Sequence, residues 1–156
     1  MKTDKYWMDK AINAAEISAL CGGGPFGCAI VKDGRIVAIT SNSVTKDNDP
    51  TAHAEINAIR MACKNLGTFV LEGCTLYTSC EPCPMCLAAC YWAHIDKIFY
   101  SGNRDDAAIA GFDDDHIYEE FRLPMEEREI PIERISPEKG SIPFLAWKNN
   151  EDRVEY

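Results

Sequence analysis

The chain has 156 residues, carries 25 acidic against 16 basic side chains for a formal net charge of −9, and is 46% hydrophobic. That length suits one domain, 1–156, able to bury a core without disulfide support. A strongly acidic chain without a window of clustered Lys and Arg disfavours nucleic acid as a partner, and no apolar run is long enough to span a membrane.

The first stretch, MKTDKYWMDKAINAAEISAL, lacks the long apolar core and small-residue cleavage site of a signal peptide and reads as an amphipathic helix. A cytoplasmic location is the expectation, and in that reducing compartment the eight cysteines point to metal binding and burial, not to a disulfide framework. Residues 27–31 and 35–40 read as strands joined at Lys32-Asp33-Gly34 into a hairpin. The next segment, SNSVTKDNDP, is full of turn formers. Asp49-Pro50 has the form of an N-cap followed by proline at the first helical position, predicting a helix over 52–66 that stops near Gly67. CTLYTS (74–79) predicts a strand, Pro82 opens a second helix over 83–93, and DKIFYS predicts another strand. Alternation of this kind predicts an α/β fold, a three-layer α/β/α sandwich with a mixed central sheet. Beyond Gly102, NRDDAAIAGFDDDHIYEEF reads as one or two short helices, EEREIPIERI as a late strand or extended arm, and IPFLAWKNNEDRVEY as a helix or tail.

His53-Ala54-Glu55 and Pro82-Cys83-Pro84-Met85-Cys86 together match the H-x-E…P-C-x-x-C pattern of zinc-dependent nucleobase deaminases. A catalytic zinc takes three protein ligands and keeps its fourth position open for water, so one imidazole and two thiolates complete the protein's share. Glu55 then stays uncommitted, a carboxylate able to take a proton from the attacking water and deliver it to a departing amine. A C-x-x-C alone also fits a redox pair or half of a structural zinc knuckle. A structural site, however, closes four ligands and has no use for a free glutamate beside its histidine. Cys80 and Cys83 repeat the spacing of Cys83 and Cys86; the latter pair is preferred because it lies on the helix after Pro82, with Cys80 in the preceding turn. Cys90, Cys21, Cys28, Cys63 and Cys74 read as small buried hydrophobes, and His94 and His116 as surface or core histidines.

The stretches GGPFGCAIVKDG, NDPTAHAEINAIR, LYTSCEPCPMCLAACYWA, AGFDDDHIYEEF and PFLAWKNNEDRVEY resemble the bacterial guanine deaminases of the cytidine-deaminase superfamily over essentially the whole chain. The resemblance implies hydrolysis of guanine to xanthine and ammonia, with zinc held by His53, Cys83 and Cys86 and Glu55 as proton shuttle. It implies that Asn42 hydrogen-bonds the purine, that Phe26 stacks on it, that Asp114 anchors its amide and amino edge, and that Ala54 and Tyr156 complete the substrate contacts. It also implies a homodimer, domain-swapped, in which residues 140–156 lid the active site of the neighbouring subunit. Without the resemblance, Phe26 could cap the core, Asn42 could be a turn residue, Asp114 could cap a helix, and the tail could be a frayed terminus. The chemistry at Asp114 is specific: guanine presents two adjacent donors that one carboxylate can accept, and adenine lacks that pair. Cys28 stands where alanine is common in the family.

Overall fold

Five of the six residues of the first strand, β1 (Gly27–Lys32), are buried, which sets it inside a sheet covered on both faces. The computed structural model of the chain describes residues 2–156. With β2 (Arg35–Ser41), β3 (Cys74–Cys80) and β4 (Lys97–Gly102), β1 forms a four-stranded sheet in the order β2-β1-β3-β4. β1 pairs antiparallel with β2 and β3, and β3 pairs parallel with β4, so the sheet is mixed as expected. Asp33 and Gly34 have φ of 50° and 69°, the left-handed pair that a two-residue hairpin turn needs to match the twist of its strands.

Helices cover both faces of this sheet. On one, Trp7 and Ala11 of α1 (Asp4–Leu20) pack against Ala29, Val31 and Tyr77. The alternate strand residues Cys28, Ile30 and Leu76 point the other way, onto Ala54, Ala58 and Ala62 of α3 (Ala54–Leu66) and Cys90 of α4 (Pro84–Trp92). Period-two alternation thus feeds two separate apolar layers, the expected three-layer sandwich. Between β2 and α3 lies a single-turn helix, α2 (Val44–Asp47). After β4 come α5 (Arg104–Ile109), closed at its start by a reciprocal Asn103–Asp106 capping box, and α6 (Asp115–Arg122).

Several boundaries differ from expectation. Asp49 does not cap α3: its carboxylate accepts the Thr51 N–H at 2.8 Å and the Thr51 hydroxyl at 2.7 Å, forming a turn ahead of the helix. The cap position falls to His53, whose backbone is extended. The second helix begins at Pro84, not Pro82, because a residue before proline is driven out of helical geometry; Cys83 is extended and becomes the N-cap. Cys80 belongs to the end of β3, and Cys21 is exposed at the C-cap of α1, outside the core.

The described chain divides into two compact units, one ending at Asp115 and one running from His116 to Tyr156. The second holds most of α6, two single 3-10 turns and α7 (Ile142–Asn149). No strand forms over 126–135, where Pro131 can donate no ladder hydrogen bond; the segment continues as an arm. None of the residues 116–156 is buried, and Ile130, Ile135 and Phe144 are 76%, 83% and 74% exposed. Among the described residues no helix is long and apolar enough to cross a membrane.

Candidate active site

Two helix starts carry the chemistry. His53 is the N-cap of α3 and Cys83 the N-cap of α4, and neither side chain caps its own helix. Both turn instead toward Cys86, in the first turn of α4: His53 Nδ1 lies 3.5 Å from the sulfurs of Cys83 and of Cys86, and the three ligand atoms fall within 4.8 Å of one another. Tetrahedral zinc bonded to sulfur at about 2.3 Å and to nitrogen at about 2.0 Å would hold those atoms about 3.6 Å apart. The donor set and its spacing therefore fit zinc. The positive ends of two helices also favour the negative charge of thiolate ligands.

The hydrogen bond from Cys86, and behind it the one from His53, hold the Cys83 thiol down to about 4 against the opposing effect of burial. Cys86 is pushed well up, first because it donates to Cys83 and then by burial. The hydrogen bond to Cys83 raises the His53 pKa. Behind them, Cys90 is driven up to about 12, chiefly by burial, which keeps it a protonated core thiol.

Glu55 sits in the first turn of α3 and is only 5% exposed. Burial raises its pKa, partly opposed by hydrogen bonds from its own backbone N–H and from Thr78. The Thr78 hydroxyl, itself 1% exposed on β3, donates to Glu55 Oε1 at 2.9 Å; Cys86 Sγ lies 3.4 Å from Oε2. A carboxylate so enclosed can accept and release a proton beside a metal centre.

These groups open onto a cleft of about 480 Å³, whose wall includes His53, Glu55, Cys83, Phe26, Asn42 and Asp114. Phe26 and Asn42 are neighbours because the Asn42 N–H donates to the Phe26 carbonyl at 3.0 Å, extending the β1–β2 pairing by one rung. The Asn42 carboxamide oxygen accepts the Val44 N–H at 3.2 Å, so what it can offer a ligand is the amide nitrogen. Gly24 leaves it room: a Cβ there would stand 2.8 Å from Asn42 Oδ1. Asp114 is half-buried, and burial, then the Cys83 charge, raises its pKa. Cys86 is fully buried beneath the wall. Ala54 is also fully buried, its carbonyl accepting the Thr40 hydroxyl at 2.7 Å, and its side chain does not line the cleft. Tyr156 lies in the second unit, where its ring meets Trp147 edge-on at 6.0 Å.

Sequence reasoning missed several groups. Phe112 meets Phe26 edge-to-face at 4.9 Å across the cleft. Arg104 bridges Glu81 (3.5 Å) and Asp115 (3.1 Å), joining the turn before Cys83 to the turn that bears Asp114. Asn57 donates to Ser41 O at 3.0 Å and Ser43 Oγ at 2.9 Å, pinning the loop that carries Asn42. Thr78 had one signal: the inward-facing row Cys74, Leu76, Thr78 turns polar at the residue opposite Glu55.

Comparison with known proteins agrees with this geometry. The family profile for the cytidine and deoxycytidylate deaminase zinc-binding region matches residues 1–102. The chain is 56% identical to guanine deaminase of Bacillus subtilis over 134 residues, 86% of each protein. It is 43% identical to a tRNA-specific adenosine deaminase of Aquifex aeolicus over 97 residues, 62% of this chain and 64% of that protein. The crystal structure of Bacillus subtilis guanine deaminase superposes with a TM-score of 0.97 at 50% identity, covering 99% of both chains. A guanine deaminase from Nitrosomonas europaea superposes with a TM-score of 0.69 at 29% identity, covering 73% of this chain and 66% of that one. With the zinc-binding region spanning residues 1–102 and the His53–Cys83–Cys86 cluster built within it, the chain belongs to the cytidine and deoxycytidylate deaminase zinc-binding family.

Proposed function

We infer that the chain is a zinc-dependent guanine deaminase that converts guanine and water to xanthine and ammonia. The observation that carries this reading is how far the likeness extends. Similarity to the Aquifex aeolicus tRNA-specific adenosine deaminase spans 97 residues, whereas the Bacillus subtilis guanine deaminase structure matches 99% of the chain and so includes the Phe112–Asp114 wall of the cleft. The zinc-binding region is common to many substrates; that wall is not part of it. A net charge of −9 supports a small-molecule base over a nucleic acid.

His53, Cys83 and Cys86 would hold zinc, which supplies the Lewis acidity that makes a water nucleophilic near neutral pH. Glu55 takes a proton from the attacking water and returns it to the amine as that leaves; the pKa raised by burial makes the uptake easier. Phe26 offers a ring face for the purine, with Phe112 braced against it. Asn42 donates from its amide nitrogen. Asp114 accepts the ring N–H and exocyclic amine of guanine, and an adenine in its place would leave a carboxylate without partners. Ala54, fixed between His53 and Glu55 at the start of α3, has only backbone to give the substrate.

The same reading extends to the assembly. The chain acts as one deaminase domain and as a homodimer in which residues 140–156, ending at Tyr156, lid the neighbour's site in a domain swap. The wholly unburied character of 116–156, with its large exposed apolar side chains, supports an unmet need for a covering surface. Thiol ligands kept reduced suit the cytoplasm, and the reaction belongs to purine breakdown.

The test is ammonia release by purified zinc-loaded protein across guanine, guanosine, adenine, cytosine, cytidine and an adenosine-bearing tRNA anticodon stem. Turnover of guanine alone is expected, and turnover of the tRNA stem with guanine inert would replace this reading. Glu55→Gln should retain its zinc and lose about 100-fold or more in kcat.

A further inference from the structure

We propose that Thr78 is a positioning residue for Glu55, its hydroxyl reaching from β3 to hold the carboxylate against the metal ligands. The proposal rests on Glu55 being the proton carrier. Thr78 is 1% exposed and Glu55 5%, so bulk water competes little for the bond between them, although Glu55 still borders the cleft. The hydroxyl donates to Oε1 at 2.9 Å, while Oε2 faces the Cys86 sulfur at 3.4 Å. One contact therefore lies on each oxygen, which fixes the rotation of the carboxylate as well as its place.

The two contacts differ in what survives metal binding. Cys86, once it ligates a metal as a thiolate, has no proton to donate to Glu55. The Glu55 backbone N–H remains, but it belongs to the same helix and moves with it. Of the two donors that remain, Thr78 is the one that reaches Glu55 from a different element, tying α3 to the parallel pair β3–β4. Because Thr78 follows Cys74 and Leu76 in the inward row, any apolar residue would suit the core there. A hydroxyl in that row is accounted for by the carboxylate opposite. A general base displaced by about 1 Å can lose on the order of 100-fold in rate, so this tether bears on kcat.

The experiment compares Thr78→Val, which keeps shape and removes the donor, with Thr78→Ser, which keeps the donor. In Thr78→Val, kcat should fall about 10- to 100-fold with KM within about twofold, and zinc content should stay at the parent level. Thr78→Ser should stay within about threefold of the parent in kcat, and crystal structures should show Glu55 rotated away only in the Val variant. An unchanged kcat in Thr78→Val, equal impairment in Thr78→Ser, or zinc loss in Thr78→Val would each overturn the proposal. If the parent leaves guanine untouched, the substrate reading fails by itself, and the variants are compared on the base it does deaminate. The position of Glu55 in the Val crystal needs no substrate: an unmoved carboxylate overturns the proposal whatever the activity.

Discussion

In the proposed function, discrimination between purines falls to Asp114. It is half-buried at the cleft wall with a raised pKa, burial being the larger cause and the Cys83 charge the next. A carboxylate accepting two donors from guanine makes charge-assisted contacts of about 1.5–3 kcal/mol, so Asp114→Asn should raise KM for guanine about 10- to 100-fold. A raised pKa means that protonation begins at higher pH than for an ordinary carboxylate, so KM in the parent should climb early on the acid side. Asp114→Asn, having no proton to gain, should show a nearly flat KM over the same range in steady-state assays. His53, Cys83, Cys86 and Glu55 were legible as candidates because ligand chemistry dictates their residue types and spacing. Thr78 was not, since threonine in an apolar strand is also an ordinary strand former.

At the level of elements, the site depends on where two helices begin and how closely a third approaches the sheet. Gly27 opens β1 beneath α1; a Cβ there would overlap the Ala11 carbonyl and stand 2.5 Å from the Ala15 nitrogen. Both obstacles are helix backbone, which cannot rotate aside, so Gly27→Ala must push α1 off the sheet. A cost of about 1–3 kcal/mol and a fall in Tm of several degrees by calorimetry are expected. Gly34→Ala, where open space surrounds the site but φ is 69°, should be penalised only through the turn. Strand and helix order was readable because period-two and helical spacing survive in the chain, for example in Trp7-Ala11-Ala15. The start of α3 was read at Asp49-Pro50, four residues ahead of the observed cap His53 and first helical residue Ala54. Pro50 looked like a first helical residue, but the Asp49 carboxylate is satisfied by Thr51 in a turn of its own, which no propensity rule anticipates.

At the scale of the molecule, the second unit, His116–Tyr156, raises the question of assembly, because a segment with no buried residue and exposed Phe, Ile and Trp side chains gains little by itself. On the proposed swapped dimer, a chain ending after Gly140 and the Glu55→Gln chain should each be inactive. Mixed and re-equilibrated, they should recover up to about a quarter of parental activity, because one site of each mixed dimer then combines an intact Glu55 with a partner-supplied tail. Mass by light scattering should be twice that of one chain. No recovery on mixing would place the action of the tail within its own chain.

Composition, spacing and alternation by themselves determined the α/β sandwich, the mixed sheet and the residue types of a His–Cys–Cys site with an uncommitted glutamate, because each of these is a local pattern of few residues. What only tertiary structure decided is contact between elements distant in the chain. The Thr78–Glu55 hydrogen bond spans 23 positions, and the Phe26–Phe112 pair joins the residue before β1 to the turn before α6. Such pairings depend on how the sheet stacks its helices, and burial, the largest cause raising the pKa of Glu55 and Asp114, exists only once that stacking has closed.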